Sequence, residues 1–332
     1  MVEPIKVGLC NLTPGSMPVL DADEEVFLLY TELAGKTSSS PCGSPTFRGL
    51  GHVDSHKDVL TVTFELKTRD PEPLSVPRQR HHERKKKGEK KPKKGPPEET
   101  IEVHLAQDKT ALRSRKGDTG SVLWLASVEF AQIILQQHHD TRLDSFLDHS
   151  ALAMAHVLEL GAGTGLLSIV LSPLVGHYTV TDIEALMPLI RKNLSMNIPG
   201  WDGSSSPEPC GTNMRRNVTA KPLDWMLLQN CSPVSRTQRY SYEPVDLLLV
   251  VDCVYHPSIL PSLIFAIDYL ATPDRTIVLV VVELRAEDVV REFLELWMKA
   301  GEGAWQIWHV NDIMKGPYAV WIGRKRGDVR EE

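Results

Sequence analysis

Residues 156–182, HVLELGAGTGLLSIVLSPLVGHYTVTD, decide how this chain is read. An apolar strand pattern ends at Leu160, and glycines at 161, 163 and 165 make a turn. Leu166, Leu167, Ile169 and Val170 then resume at helical spacing, and a second strand pattern closes on Asp182. Strand, glycine turn, helix and strand in that order describe a parallel pair with its crossover helix. Glycines in such a turn let backbone pass close to a ligand without Cβ clashes. The helix start adds free N–H groups.

The spacing separates the ligand classes. A dinucleotide fingerprint runs G-x-G-x-x-G/A, whereas the third position of that pattern is Leu166 here and the run is G-x-G-x-G. Glu159, two residues ahead of Gly161, would repel a pyrophosphate and suits a cationic ligand; it serves equally well as a capping acid near a helix start. Asp182 stands seventeen residues beyond Gly165. Doubly wound folds place a ribose-binding carboxylate at that point, and an N-cap for a helix starting near Glu184 is the competing role.

Outward from this unit, strands and helices alternate. Strand patterns fall at 217–220, 246–251, 276–282, 305–310 and 318–323, and helical ones at 127–137, 184–196, 258–270 and 286–300. Alternation of this kind predicts a mostly parallel sheet covered on both faces. The runs DLLLVV and TIVLVVV are apolar on both faces, as central parallel strands are. The last two strands lack a helix between them, so one is an antiparallel addition. Two polar inserts, 201–216 and 229–243, read as loops. Ahead of the sheet, 59–66 and 101–108 read as two further strands joined by an overlong connection.

That connection holds the run RQRHHERKKKGEKKPKK at 78–94, with ten Lys/Arg and two Glu. The chain's net charge is −6, so the remainder carries 27 basic against 41 acidic residues, a balance near −14. An acidic body is a poor surface for wrapping duplex DNA. The run has two readings, a solvated, disordered loop (78–98), or a functional segment that is an electrostatic tether to RNA or an RNA-rich particle or else a nuclear address. The 332 residues suffice for a full core without disulfides or metal. Five scattered cysteines with no C-x-x-C pair argue against a disulfide scaffold or a zinc site and point to a reducing compartment. The histidines show no metal-ligating pattern. No stretch has the apolar length of a membrane helix, and MVEPIKVGLC lacks the form of a secretory signal.

Further motifs stand in a fixed order around the glycine turn. GSVLWLASVEFAQII puts Trp124 ahead of a helix, LIRKNLSMN carries Asn193 and Asn197, PLDW holds Asp224 and Trp225, and LVVDCVYHP sets Asp252 and Tyr255 as D-x-x-Y. With the turn, this ordered set resembles methyltransferase family 16, class I protein-lysine methyltransferases of the methyltransferase-like 21 type, over about residues 100–325. Within it the chain is most similar to fungal members that modify ribosomal lysines.

The resemblance implies a Rossmann-like α/β sheet of seven strands in the order 3-2-1-4-5-7-6, with strand seven antiparallel and helices on both faces. It implies a methyltransferase domain over 120–326, a small N-terminal β extension over 1–119 and a tail from 327. It implies S-adenosylmethionine as cofactor, lined by Trp124, Gly161, Ala162, Gly163, Asp182, Trp225 and Val251, with Glu159 near its ammonium. Asp252 and Tyr255 are implied beside the substrate lysine, Asp252 orienting it with a share in proton acceptance. Without the resemblance, a cap for the helix near Pro257 is an equally good reading of Asp252, and a core aromatic of Tyr255. The expected substrate is a ribosomal protein of the large subunit, and the expected setting is a cytoplasmic monomer with no membrane contact. Methylation of a small molecule or RNA, and a non-catalytic binding protein with this fold, are the alternatives. The absence of [DNS]PP[FY] after the fourth strand disfavours adenine N6 or glutamine amide chemistry.

Overall fold

The computed structural model describes residues 5–38, 51–54, 56–68, 98–108, 119–140, 144–203 and 217–327. The basic run 78–94 and most of the first polar insert lie outside them.

Two short strands, β1 (Lys6–Val7) and β2 (Cys10–Asn11), form a small antiparallel pair. β3 (Met17–Pro18) and helix α1 (Ala22–Ser38) follow. Strands β4 (Val59–Lys67) and β5 (Glu98–Ala106) pair antiparallel from Val59↔Ala106 to Lys67↔Glu98. Buried and exposed positions alternate without a break along β4, which is what one apolar face and one wet face require.

The main sheet is built from β6 (His156–Leu160), β7 (His177–Asp182), β8 (Val218–Pro222), β9 (Leu247–Val251), β10 (Ile277–Glu283), β11 (Trp305–His309) and β12 (Tyr318–Lys325). Its order is β3-β11-β12-β10-β9-β6-β7-β8. The five strands from β10 to β8 are parallel, and β12 runs antiparallel between β10 and β11. Seven of the eight strands reproduce the expected order. The eighth, β3, pairs antiparallel with β11 through Trp308↔Pro18 and His309↔Met17. The N-terminal segment therefore extends the main sheet itself.

Helices α2 (Leu125–His139), α3 (His149–Leu152), α4 (Leu166–Leu171), α5 (Met187–Asn197), α6 (Trp225–Asn230), α7 (Pro233–Arg239), α8 (Leu260–Leu270) and α9 (Glu287–Lys299) complete the chain. Every residue of β6, β9 and β10 is buried. Along β9 the side chains divide by face: Leu247, Leu249 and Val251 pack in one core layer, Leu248 and Val250 in the other. The first layer includes α2, α4 and the β4–β5 pair, and the second includes α1, α8 and α9. The second polar insert is not all loop, because α7 forms there with Ser232 as N-cap and Pro233 at its first position.

Candidate active site

β6 ends at Leu160, and the chain turns through Gly161 (φ 66°) and Gly163 (φ 58°) into Gly165, the N-cap of α4. Both turn glycines hold left-handed backbone, and both are crowded. A Cβ on Gly161 would meet Cys253 Sγ at 2.7 Å and the Trp225 ring at 3.2 Å, and one on Gly163 would meet the Gly120 carbonyl at 3.0 Å. The turn is pinned to the end of β7. Ala162 N–H donates to the Thr181 carbonyl at 3.0 Å, and Gly163 N–H donates to Asp182 Oδ2 at 2.8 Å. Asn193 supports it from α5, donating to the Thr164 and Ala106 carbonyls at 2.9 and 3.0 Å and accepting from Ala106 N–H at 2.8 Å. Asn197 pairs in the same way with both backbone groups of His104. The two asparagines of LIRKNLSMN thus fasten β5 to α5 and the turn.

A cavity of about 350 Å³ opens at the carboxyl ends of β6, β7, β8 and β9. The place follows from the topology, since the crevice of an open α/β sheet lies where the strand order reverses. Gly161, Ala162, Gly163, Asp182, Trp225, Val251, Trp124, Asp252 and Tyr255 all border it. Sequence separation had given no distance between them, and the structure brings them together. Asp224 borders it too, while its carboxylate caps α6 by accepting from Met226 and Leu227 N–H at 2.9 and 3.0 Å. Among the described lining residues are three carboxylates, Asp182, Asp224 and Asp252, and no Lys, Arg or His. Such a wall suits a cationic ligand and opposes a polyphosphate. Trp225 Nε1 is buried without a hydrogen-bond partner among the described residues, an orphaned donor beside the cavity.

Glu159 is not brought to this cavity. It is 3% exposed within β6, where the Tyr178 hydroxyl donates to its Oε2 at 2.8 Å. Burial pushes its carboxyl up to about 8, with the Tyr178 hydrogen bond pulling the other way. Burial thus favours its protonated form, and the carboxylates that border the cavity are Asp182, Asp224 and Asp252.

At the end of β9, Asp252 adopts φ 57°, a left-handed conformation unusual for a residue with a side chain. Its N–H donates to the Val281 carbonyl at 2.7 Å. Its carboxylate is only 3% exposed and accepts from both terminal nitrogens of Arg285, at 2.9 and 2.6 Å. Burial pushes the Asp252 carboxyl up from its ordinary value, and Arg285 works in the opposite direction. Tyr255, 37% exposed, stands at the rim with Met226, 53% exposed. Trp124 is the N-cap of α2, and its indole N–H donates to the Thr119 carbonyl at 2.9 Å.

Sequence reasoning missed Arg285, Glu283, Gly120 and Cys253. The only signal was the charged stretch ELRAED directly after an apolar strand, at the sheet end where sites gather. Among the described residues, no group of three or more His, Cys, Asp or Glu could hold a metal ion, and no helix is long and apolar enough to cross a membrane.

The sequence profile described as lysine methyltransferase matches residues 106–300. A diaminohydroxyphosphoribosylamino-pyrimidine deaminase of Schizosaccharomyces pombe is 30% identical over 196 residues, 58% of this chain and 41% of its own length. The C-x-x-C pair of zinc-dependent nucleobase deaminases does not occur in this sequence. EEF1A lysine methyltransferase 3 of Xenopus tropicalis is 33% identical over 123 residues, 37% of this chain and 45% of its own. Ribosomal lysine N-methyltransferase 5 of Zygosaccharomyces rouxii is 27% identical over 239 residues, 64% of this chain and 74% of its own. The chain thus spans less than half the length of the first two relatives.

Proposed function

The chain belongs to the lysine methyltransferase family, and from that membership and the cavity we propose that it is an S-adenosylmethionine-dependent protein-lysine N-methyltransferase acting on a ribosomal protein. The observation that carries this reading is the glycine-turn cavity walled by three carboxylates with no basic side chain among its described lining. When bound, S-adenosylmethionine supplies a methyl carbon on cationic sulfur, whose bond breaks with its electron pair left on sulfur as the lysine lone pair bonds to the carbon.

The residues fit that cofactor. Asp182 borders the cavity at the end of β7, where doubly wound folds place a carboxylate that accepts from ribose hydroxyls. Trp225 and Val251 offer flat and apolar walls, and the glycine turn admits backbone contact. The enzyme's main task is alignment, worth about 7–11 kcal/mol in favourable cases. A lysine ammonium has no lone pair and must first lose a proton. A half-enclosed cavity lowers its pKa, as does cationic charge nearby. Asp252 orients the lysine, and Tyr255 and Met226 flank its apolar stem at the rim.

The ribosomal substrate draws support from the Zygosaccharomyces relative, the family member among the three that this chain covers furthest. The acidic body, near −14 outside the basic run, also suits a cationic partner. The expected setting is cytoplasmic, and the basic run is a second contact, to RNA or the ribosome.

The test is incubation with radiolabelled S-adenosylmethionine and a lysate separated into ribosomes, RNA and soluble protein. A labelled protein band in the ribosomal fraction, absent with Asp182→Ala, is expected. Label confined to RNA or small molecules would overturn the reading.

A further inference from the structure

Arg285 lies two residues beyond Glu283, the last residue of β10, and does not itself border the cavity. Its Nη1 donates to Asp252 Oδ1 at 2.9 Å, and its Nη2 donates to Asp252 Oδ2 at 2.6 Å and to Glu283 Oε2 at 2.7 Å. Its guanidinium carbon stands 4.8 Å from the centre of the Trp124 ring. One side chain thus joins two cavity walls that are 128 residues apart in sequence.

The outer side of the cluster is closed by Gly51. That glycine has φ 80°, its carbonyl accepts from Leu125 N–H at 2.7 Å, and a Cβ there would run into the Glu283 carboxylate and the Arg285 guanidinium. Glu283 is 7% exposed and Asp252 3%. Two nearly buried carboxylates share one guanidinium, so the cluster holds one surplus formal negative charge.

We propose that Arg285 is a positioning residue of the lysine site, holding the Asp252 carboxylate in place and balancing one of two negative charges so that the remaining one complements a single lysine ammonium. This rests on the lysine-methyltransferase reading above. Methyl transfer moves positive charge from sulfur to nitrogen, and a fixed negative charge at the substrate end stabilises the charge as it develops. Without the guanidinium, burial and the neighbouring Glu283 would favour a protonated Asp252 at neutral pH, removing the charge that orients the lysine. The role calls for arginine, because only a planar fork engages both oxygens while stacking on an indole.

Among the described residues, the charged and titratable groups acting on Asp252 are Arg285 and Glu283 at the end of β10 and Cys253 beside it; Asp182, Asp224 and Tyr255 border the same cavity, and His52 meets the Trp124 ring edge-on. Without Arg285, burial and Glu283 push the Asp252 carboxyl higher, so the ionised form appears only at higher pH.

The experiment compares the full chain with Arg285→Lys, Arg285→Gln and the double variant Asp252→Asn/Arg285→Gln. Labelling of the ribosomal fraction by Arg285→Gln should fall about 10- to 100-fold at pH 7 and recover in part toward pH 9. Arg285→Lys should be intermediate, and the KM for S-adenosylmethionine should stay close to that of the unaltered protein. A purely structural role would depress labelling equally at every pH, which would overturn the proposal.

A second readout needs no activity. The melting deficit of Arg285→Gln against the unaltered protein should widen from pH 5 to pH 8, because Asp252 must then ionise while buried without its cation. The double variant should show no such widening, and parallel curves for the two would overturn the pairing. Diverging melts with no labelled protein from the unaltered chain would overturn the lysine site while leaving the pairing intact.

Discussion

Gly161 and Glu159 stand two residues apart and answer to different constraints. Gly161 combines φ 66° with a Cβ position 2.7 Å from Cys253 Sγ. Gly161→Ala should therefore cost about 1–3 kcal/mol in stability and weaken S-adenosylhomocysteine binding at least tenfold, read by calorimetry. Unchanged affinity would mean that the turn does not touch the cofactor. Glu159 is buried beneath Tyr178 with its carboxyl pushed up to about 8. A raised carboxyl binds its proton more tightly in the folded chain, so its contribution to stability is fully present below pH 4.5 and is lost as pH rises through 8. Glu159→Gln keeps the shape and never ionises. Its melting temperature relative to the unaltered protein should climb between pH 4.5 and 8, by an amount on the order of a few kcal/mol in free energy. A pH-independent difference would show that Glu159 is ionised when folded. The glycines and Asp182 were legible in the sequence because their spacing is local to one βαβ unit. Glu159 was not, because it lies inside β6 and only Tyr178, brought across by the β6–β7 register, shows which way its charge is resolved. Arg285 escaped for the same reason: its partner Asp252 is set beside it only by the parallel pairing of Val251 with Val281.

At the scale of elements, the long apolar runs identified themselves and the short or polar pieces did not. β9 and β10 are buried along their whole length, so DLLLVV and TIVLVVV could only be central strands. β3 has two residues, too few to carry a period, and it exists because β11 offers an edge. α7 buries none of its residues; its capping Ser232 and Pro233, rather than an apolar stripe, make it a helix. Arg236 then ties it back, donating to the Leu228, Gln229 and Cys231 carbonyls at the end of α6 while lying over the Phe265 ring. The attachment of α1 turns on one buried acid. Glu25 accepts from Trp321 Nε1 at 2.9 Å and lies 3.3 Å from His309 Nδ1, linking the helix to β11 and β12. Glu25→Ala would leave the buried indole N–H without that acceptor, at a cost of about 1–3 kcal/mol. A fall in melting temperature, together with faster amide exchange across 22–38, is the expected result. Unchanged exchange there would show that apolar packing against α9 holds the helix alone.

Across the whole molecule the charge is divided between an acidic body and one cationic run. The run lies in the connection between β4 and β5, outside the described residues, and its electrostatic role can be separated from folding. The β4–β5 ladder is complete from Val59↔Ala106 to Lys67↔Glu98, so both strands finish their pairing before the connection begins. The buried face of the pair packs with α2 and α4, leaving the cavity at the other strands' carboxyl ends untouched. Deleting 78–94 removes ten positive and two negative charges and takes the chain from −6 to −14. If the run tethers the protein to a polyanion, the deletion should reduce co-sedimentation with ribosomes or RNA several-fold in low salt. The difference between the two proteins should shrink as salt shortens the Debye length from about 30 Å at 0.01 M to about 8 Å at 0.15 M. S-adenosylhomocysteine affinity should be equal in the two, because no described basic side chain borders the cavity. Equal co-sedimentation at every salt concentration would make the run a solvated connection with no tethering role. Lost cofactor affinity would place it in contact with the site instead. The two measurements together therefore separate the charge of the run from binding at the cavity.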